Sequence, residues 1–156
     1  MKKSITLLPM LSAMFLFFSC QSDDIDDLRQ DFQGHWRLEE IHSSWTQEVL
    51  KGADINYEES YHFRSDGSFV KVNSELGRQV SGDFVQAPVG PGFPEDLVLQ
   101  LTLTFNPDEL VEEDTQTLSG MLYGVEGQEV LYLRKDGSLT NSGYGIADGG
   151  MYVFRR

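Results

Sequence analysis

The chain has 156 residues, with 25 Asp and Glu against 12 Lys and Arg for a net charge of −13, and 40% of it is hydrophobic. That is enough apolar side chain for one domain with a core, while the charge repels phosphate backbones and sets nucleic acid aside as a partner. The single cysteine, Cys20, excludes an internal disulfide.

Lys2 and Lys3 open the chain, and an apolar run from Ile5 to Phe18 follows, broken only by Thr6, Pro9 and Ser12. A helix crossing a bilayer needs roughly 20 residues, and this run is too short. A charged start, a short greasy stretch and a small residue, Ser19, together read as a signal peptide over residues 1–19. "LFFSC" resembles a bacterial lipobox, which is cut just before a cysteine that is then acylated on its sulfur and on its new amino group. Gln21–Ser22–Asp23–Asp24 resembles the acidic export signal of Bacteroidetes lipoproteins, so Ser22, Asp23 and Asp24 carry that resemblance. It implies a palmitate-type anchor on Cys20, partnership with a membrane through it, and display on the outer membrane at the cell surface. The remaining chain has 10 Lys and Arg against 25 Asp and Glu, a net of −15, which anionic headgroups would repel. More than one acyl chain, at about 0.8 kcal/mol per buried methylene, would hold it there. Residues 20–32 read as an acidic, flexible tether without the apolar surface to order itself.

From residue 33 to 156 the pattern has period two. "HWRLEEIH" is the first strand. "YEESYHFRS" puts Tyr57, Tyr61 and Phe63 on one side, with Glu58, Ser60, His62 and Arg64 on the other. "SDG" and then "SFVKV" make a hairpin in which Gly67 is free to take a positive φ. "RQVSGDFV" (78–85) follows, and Pro and Gly gather in a loop at 87–94. "LVLQLTLTF" (97–105) alternates most clearly, with Leu97, Leu99, Leu101, Leu103 and Phe105 on one face. Asn106–Pro107–Asp108 ends that strand, and only Asp108–Asp114 could form a helical turn. "TLSGMLYG" (117–124), "QEVLYLR" (128–134) and "MYVFRR" (151–156) complete the strands, with a glycine-rich loop at 143–150. The "KDG" of "RKDGSLT" repeats the device of the first hairpin, as a second, independent Asp-Gly turn. Eight or nine short antiparallel strands in one domain mean an all-β barrel or sandwich. A closed barrel removes sheet edges.

Gly34–His35–Trp36 stands at the start of the first strand. A glycine, one residue and then a tryptophan is how lipocalin-type barrels begin, and in them a basic residue near the last strand packs over the indole. Arg155 or Arg156 is placed for that role. Residues 33–156 therefore resemble the small lipocalin-like domains of bacterial lipoproteins, and the resemblance implies a single antiparallel barrel of eight or nine strands. The alternative is an immunoglobulin-like β-sandwich, which would keep Trp36 far from the terminal arginines. An eight-stranded barrel either fills its interior with side chains or holds one small ligand.

Residues that carry chemistry are sparse. His35, His42 and His62 lack the converging spacing of a zinc site, and His35 and His62 read as outward. The doublets Glu39–Glu40 and Glu58–Glu59 split across the faces of a strand and, with Glu112–Glu113–Asp114, read as solvated surface. Asp66, Asp136 and Asp148 lack the ligand spacing of a calcium loop. No nucleophile elbow or phosphate-cradling loop occurs, so the expectation is no enzyme, no cofactor and no metal. The first functional expectation is a binding module for a small apolar or amphipathic ligand or a glycan, with Trp45, Tyr57, Tyr61, Phe63, Phe93, Tyr132 and Tyr144 as contacts. The second is an accessory subunit that docks on an outer-membrane transport or assembly complex with no ligand of its own. The third, a hydrolase on the same barrel, needs polar residues that meet inside a pocket.

Overall fold

The computed structural model describes residues 32–43, 46–112, 114, 121, 124, 127–141 and 150–156. Among them nine strands form one antiparallel sheet: β1 (Gly34–His42), β2 (Val49–Lys51), β3 (Glu59–Phe63), β4 (Ser68–Asn73), β5 (Arg78–Pro88), β6 (Leu97–Phe105), β7 (Gln128–Arg134), β8 (Leu139–Asn141) and β9 (Met151–Arg155). Strands β3 to β9 pair in chain order, β3 pairs with the first half of β1, and β9 returns to β1. Eight strands thus close into a lipocalin-like barrel. The ninth, β2, lies outside the closed sheet and pairs only with the end of β1, Leu50 opposite Ile41. The connections β1–β3, β4–β5, β6–β7 and β8–β9 leave from one end, the mouth. The chain enters at the other end, the floor, where it also finishes.

The alternation read in the sequence places the core. Leu99, Leu101, Leu103 and Phe105 of β6 are buried while Thr104 is exposed. Facing them are Trp36, Tyr61, Phe63, Phe69, Val80, Leu131, Leu133 and Phe154, joined from the floor by Phe32. Edge-on contacts lock the aromatics: Phe69 against Phe105 at 4.9 Å, Tyr61 against Phe154 at 5.0 Å and Phe63 against Phe84 at 5.2 Å between ring centroids. These are geometries in which ring edge meets ring face. Gly82 makes room for this packing. A Cβ there would strike the Thr104 carbonyl oxygen and stand 2.9 Å from Phe69.

The two Asp-Gly turns are the same object built twice. Gly67 and Gly137 take φ of +85° and +77°. Asp66 Oδ1 accepts from Ser68 N (3.0 Å) and Ser68 Oγ (2.6 Å), as Asp136 Oδ1 accepts from Ser138 N (2.9 Å) and Ser138 Oγ (2.6 Å). Both aspartates are therefore turn caps.

Some boundaries differ from the sequence reading. β5 continues past Val85 to Pro88, because its last residues have β6 on one side and no strand on the other, so proline's missing N–H breaks no ladder. The β2 and β8 strands have three residues each, too few for a period-two signal. The helical turn expected at Asp108–Asp114 is met by a 3-10 turn at Pro107–Glu109 and by helical backbone at Glu112 and Asp114, and Gly52–Asp54 adds another 3-10 turn. Most of the strand expected at 117–124 lies outside the described residues; Met121 and Gly124 are in bends.

Candidate functional site

The barrel holds a group of polar side chains in its interior. Period two points Glu59, Tyr61 and Phe63 inward from β3, Phe69, Lys71 and Asn73 from β4, and Glu129, Leu131 and Leu133 from β7. Lys71 Nζ lies 3.2 Å from Glu59 Oε1 and 3.3 Å from Glu129 Oε2. Glu129 Oε1 accepts from the Tyr61 hydroxyl at 2.6 Å and from Asn141 Nδ2 at 2.7 Å, while Asn73 Nδ2 donates to Glu59 Oε2 at 2.8 Å. The ammonium also sits 5.0 Å from the centre of the Tyr61 ring. Every one of these residues is at most 3% exposed.

This corrects the expectation that Glu58–Glu59 and Glu112–Glu113–Asp114 are solvated surface: Glu59 and Asp114 are buried, and Glu129, not singled out from sequence, is sealed inside with Glu59. Burial pushes the Glu129 carboxyl above its ordinary range, against the pull of the Lys71 charge and the Tyr61 hydrogen bond. The missed signal was the phase of the alternation, which puts Glu59 in line with Tyr61 and Phe63. Chemically, two carboxylates share one ammonium in a hydrogen-bonded network that links β3, β4, β7 and β8 at a desolvation cost.

A second charged pair stands toward the mouth. Arg78 Nη1 lies 2.8 Å from Asp114 Oδ2, and Arg78 Nη2 donates to the Glu109 carbonyl at 2.9 Å. Asp114 is fully buried and also accepts from Val111 N (2.9 Å) and Met121 N (2.8 Å). Burial alone would raise its carboxyl, but those backbone N–H groups and Arg78 outweigh it and hold Asp114 below the usual range. The pair pins the β6–β7 connection so that Met121 packs, fully buried, in the core cluster.

The residues singled out from sequence are scattered. Trp36 is fully buried and its Nε1 donates to the Phe32 carbonyl at 2.6 Å. The Arg156 guanidinium carbon lies 5.2 Å from the Trp36 ring centre, whereas Arg155 turns to Asp136 at 3.5 Å. Gly34, at φ +119°, lets the chain turn into β1 there. Tyr61 and Phe63 stack on each other at 5.8 Å within the core and are closed to a ligand. Tyr132 was expected as a ligand contact beside Tyr61 and Phe63. Instead its phase on β7 is opposite to that of Leu131 and Leu133, and it lies on the outer face with Phe93 beside it at 5.9 Å. Phe93 belongs to a floor-end loop and Tyr57, half-buried, to the β1–β3 connection, so the structure does not gather these aromatics into one surface. Cys20, Ser22, Asp23, Asp24, Trp45 and Tyr144 lie outside the described residues. His42 is bonded to Glu40 at 2.8 Å, and His35 and His62 are exposed.

A cavity of about 440 Å³ lies on the outer wall, lined by residues of β4, β5 and β6 that include Gly82. Its rim is polar: Arg64, Ser68, Ser81, Asp83, Thr104 and Asn106. Such a rim offers paired donors and acceptors to a hydroxylated molecule. Comparison with protein-family models, curated proteins and solved structures gives no match for this chain.

Proposed function

We propose that this chain is a cell-surface lipoprotein, anchored in the outer membrane through Cys20, whose lipocalin-like barrel is an accessory module that docks on a membrane transport or assembly complex and carries no ligand inside. The observation that supports this is the packed interior. Trp36, Tyr61, Phe63, Phe69, Lys71, Leu101, Leu103, Met121, Leu131 and Phe154 are all at most 1% exposed and occupy the space a lipocalin-type ligand would need. Glu59 and Glu129 are the paired carboxylates a hydrolase would require, but both are 1% exposed and out of reach of substrate. The polar groove on the outer wall favours a second reading, recognition of a glycan at the surface.

Native mass spectrometry of protein extracted from membranes in mild detergent tests the first reading. The expected mass is that of the chain from Cys20 onward plus its acyl groups, with nothing else bound. An unmodified Cys20 overturns the anchor, and a stoichiometric small molecule overturns the ligand-free barrel.

A further inference from the structure

Near the floor, the outward positions of β9, β1 and β3 carry cations. Arg37 stands directly opposite Arg155, and His35 directly opposite His62 with ring centres 6.2 Å apart. Arg64 follows β3 on the same wall, and Arg156 ends the chain beside it. Like charges directly opposed across two strands destabilise a sheet, so the Arg37–Arg155 pairing is a cost the fold carries. Four carboxylates bear on this wall: Glu39 is exposed two positions along β1 from Arg37, and Asp83 lines the outer groove with Arg64, in addition to Asp136 and Asp66. Asp136 lies 3.5 Å from Arg155, and Asp66 is near Arg64 but spends its Oδ1 on Ser68. Arg37 has no ion-pair partner among the described residues. The mouth exposes the acids Glu48, Asp54, Glu58, Glu75, Asp108 and Glu112, while the connections at the floor expose three, Asp66, Glu95 and Asp136.

The chain joins the barrel at Phe32, at this same end. Phe32 lies twelve positions after Cys20, a span that reaches at most about 43 Å when fully extended. We propose that the Arg37–Arg64–Arg155 wall rests on the phosphate-bearing headgroups of the membrane that holds the anchor, turning the acidic mouth away from it. This rests on the Cys20 anchor. A negatively charged surface attracts the wall, repels the mouth, and acts only within a Debye length. The result is one preferred face toward the bilayer.

The test uses the full-length protein extracted from membranes and reconstituted into two kinds of vesicle, phosphatidylcholine alone and phosphatidylcholine with phosphatidylglycerol. Phenylglyoxal modification of each arginine is read by mass spectrometry after flotation. The expected result is that Arg37, Arg64 and Arg155 react at least about threefold more slowly on the anionic vesicles and recover in high salt, while Arg78 at the mouth is unchanged. Equal rates on both vesicles, with the protein still floating, overturn the proposal and leave the anchor standing. Failure to float overturns the anchor and the proposal with it. The double variant Arg37→Gln/Arg155→Gln should unfold at the same or a higher temperature, since it removes a like-charge pair, and should lose the protection of Arg64. Protection that persists in this variant also overturns the proposal.

Discussion

Replacing Lys71 by Met probes the interior network most directly. Methionine keeps the aliphatic stem but removes the ammonium 3.2 Å from Glu59 and 3.3 Å from Glu129. Removing one partner of a buried ion pair costs about 3–5 kcal/mol, because the charge left behind keeps its desolvation penalty. Lys71 serves two carboxylates, so the upper part of that range, roughly 4–5 kcal/mol, is expected near neutral pH. Domains of this size have about 5–15 kcal/mol in total, which leaves the variant folded only marginally. Acid should relieve it. Burial already pushes the Glu129 carboxyl up, and loss of the ammonium pushes it further. An acid whose folded pKa exceeds its unfolded value of about 4.3 loses stability as pH rises through that window and regains it as pH falls. Urea unfolding followed by far-UV circular dichroism, near pH 7 and near pH 4.5, reads both effects. With a slope of about 1–3 kcal/mol per molar urea, the midpoint should fall by about 2 M at neutral pH and by less than half of that in acid. Adding Glu59→Gln and Glu129→Gln should recover at least half of the loss. A cost below about 1 kcal/mol, the size expected of an exposed pair, or an equal cost at both pH values, would refute the account.

Asp114→Asn keeps the shape of the side chain but weakens its hold on Arg78 and on the N–H groups of Val111 and Met121; chemical denaturation should show a loss of about 1–3 kcal/mol. Because the folded carboxyl is held low, its contribution is present above the unfolded value of about 3.9 and vanishes as pH falls through the folded one, so the variant and the parent should converge in acid. Gly82→Ala forces a methyl into the Thr104 carbonyl and the Phe69 ring; calorimetry should show a loss of about 1–3 kcal/mol, the usual cost of overpacking. Trp36→Phe removes the donor to the Phe32 carbonyl and the indole beneath Arg156; amide exchange should rise first at Phe32 to Gly34, while the far-UV spectrum stays that of a β-protein.

The architecture was legible where a strand is half-buried and its turn chemical. Leu97 to Phe105 announce their faces, and Asp66–Gly67 and Asp136–Gly137 announce their hairpins, since a positive φ beside a short acceptor has few other uses. The strands β2 and β8 were not legible, because three residues cannot show a period. The polar interior was hidden by a habit of reading charge as solvent. Glu59 lies two residues from Tyr61 in strict alternation, yet its charged type outweighed its phase; Lys71 between Phe69 and Asn73, and Glu129 two residues from Leu131, show the same phase. Tyr132 failed in the opposite sense, its aromatic type suggesting the core while its phase pointed out. The pairing of Arg37 with Arg155 depends on closure between residues more than a hundred positions apart, and no local pattern encodes that.

That closure has a kinetic consequence. The seam between β1 and β9 joins the beginning of the sheet to its end, so no truncated product can zip it, and Trp36 waits for Arg156 before its cover arrives. Contacts this remote in sequence form slowly, since the whole intervening loop must first be organised. A polypeptide emerging N-terminus first would therefore stay open until its last strand is free, and until then its apolar interior has only partial cover.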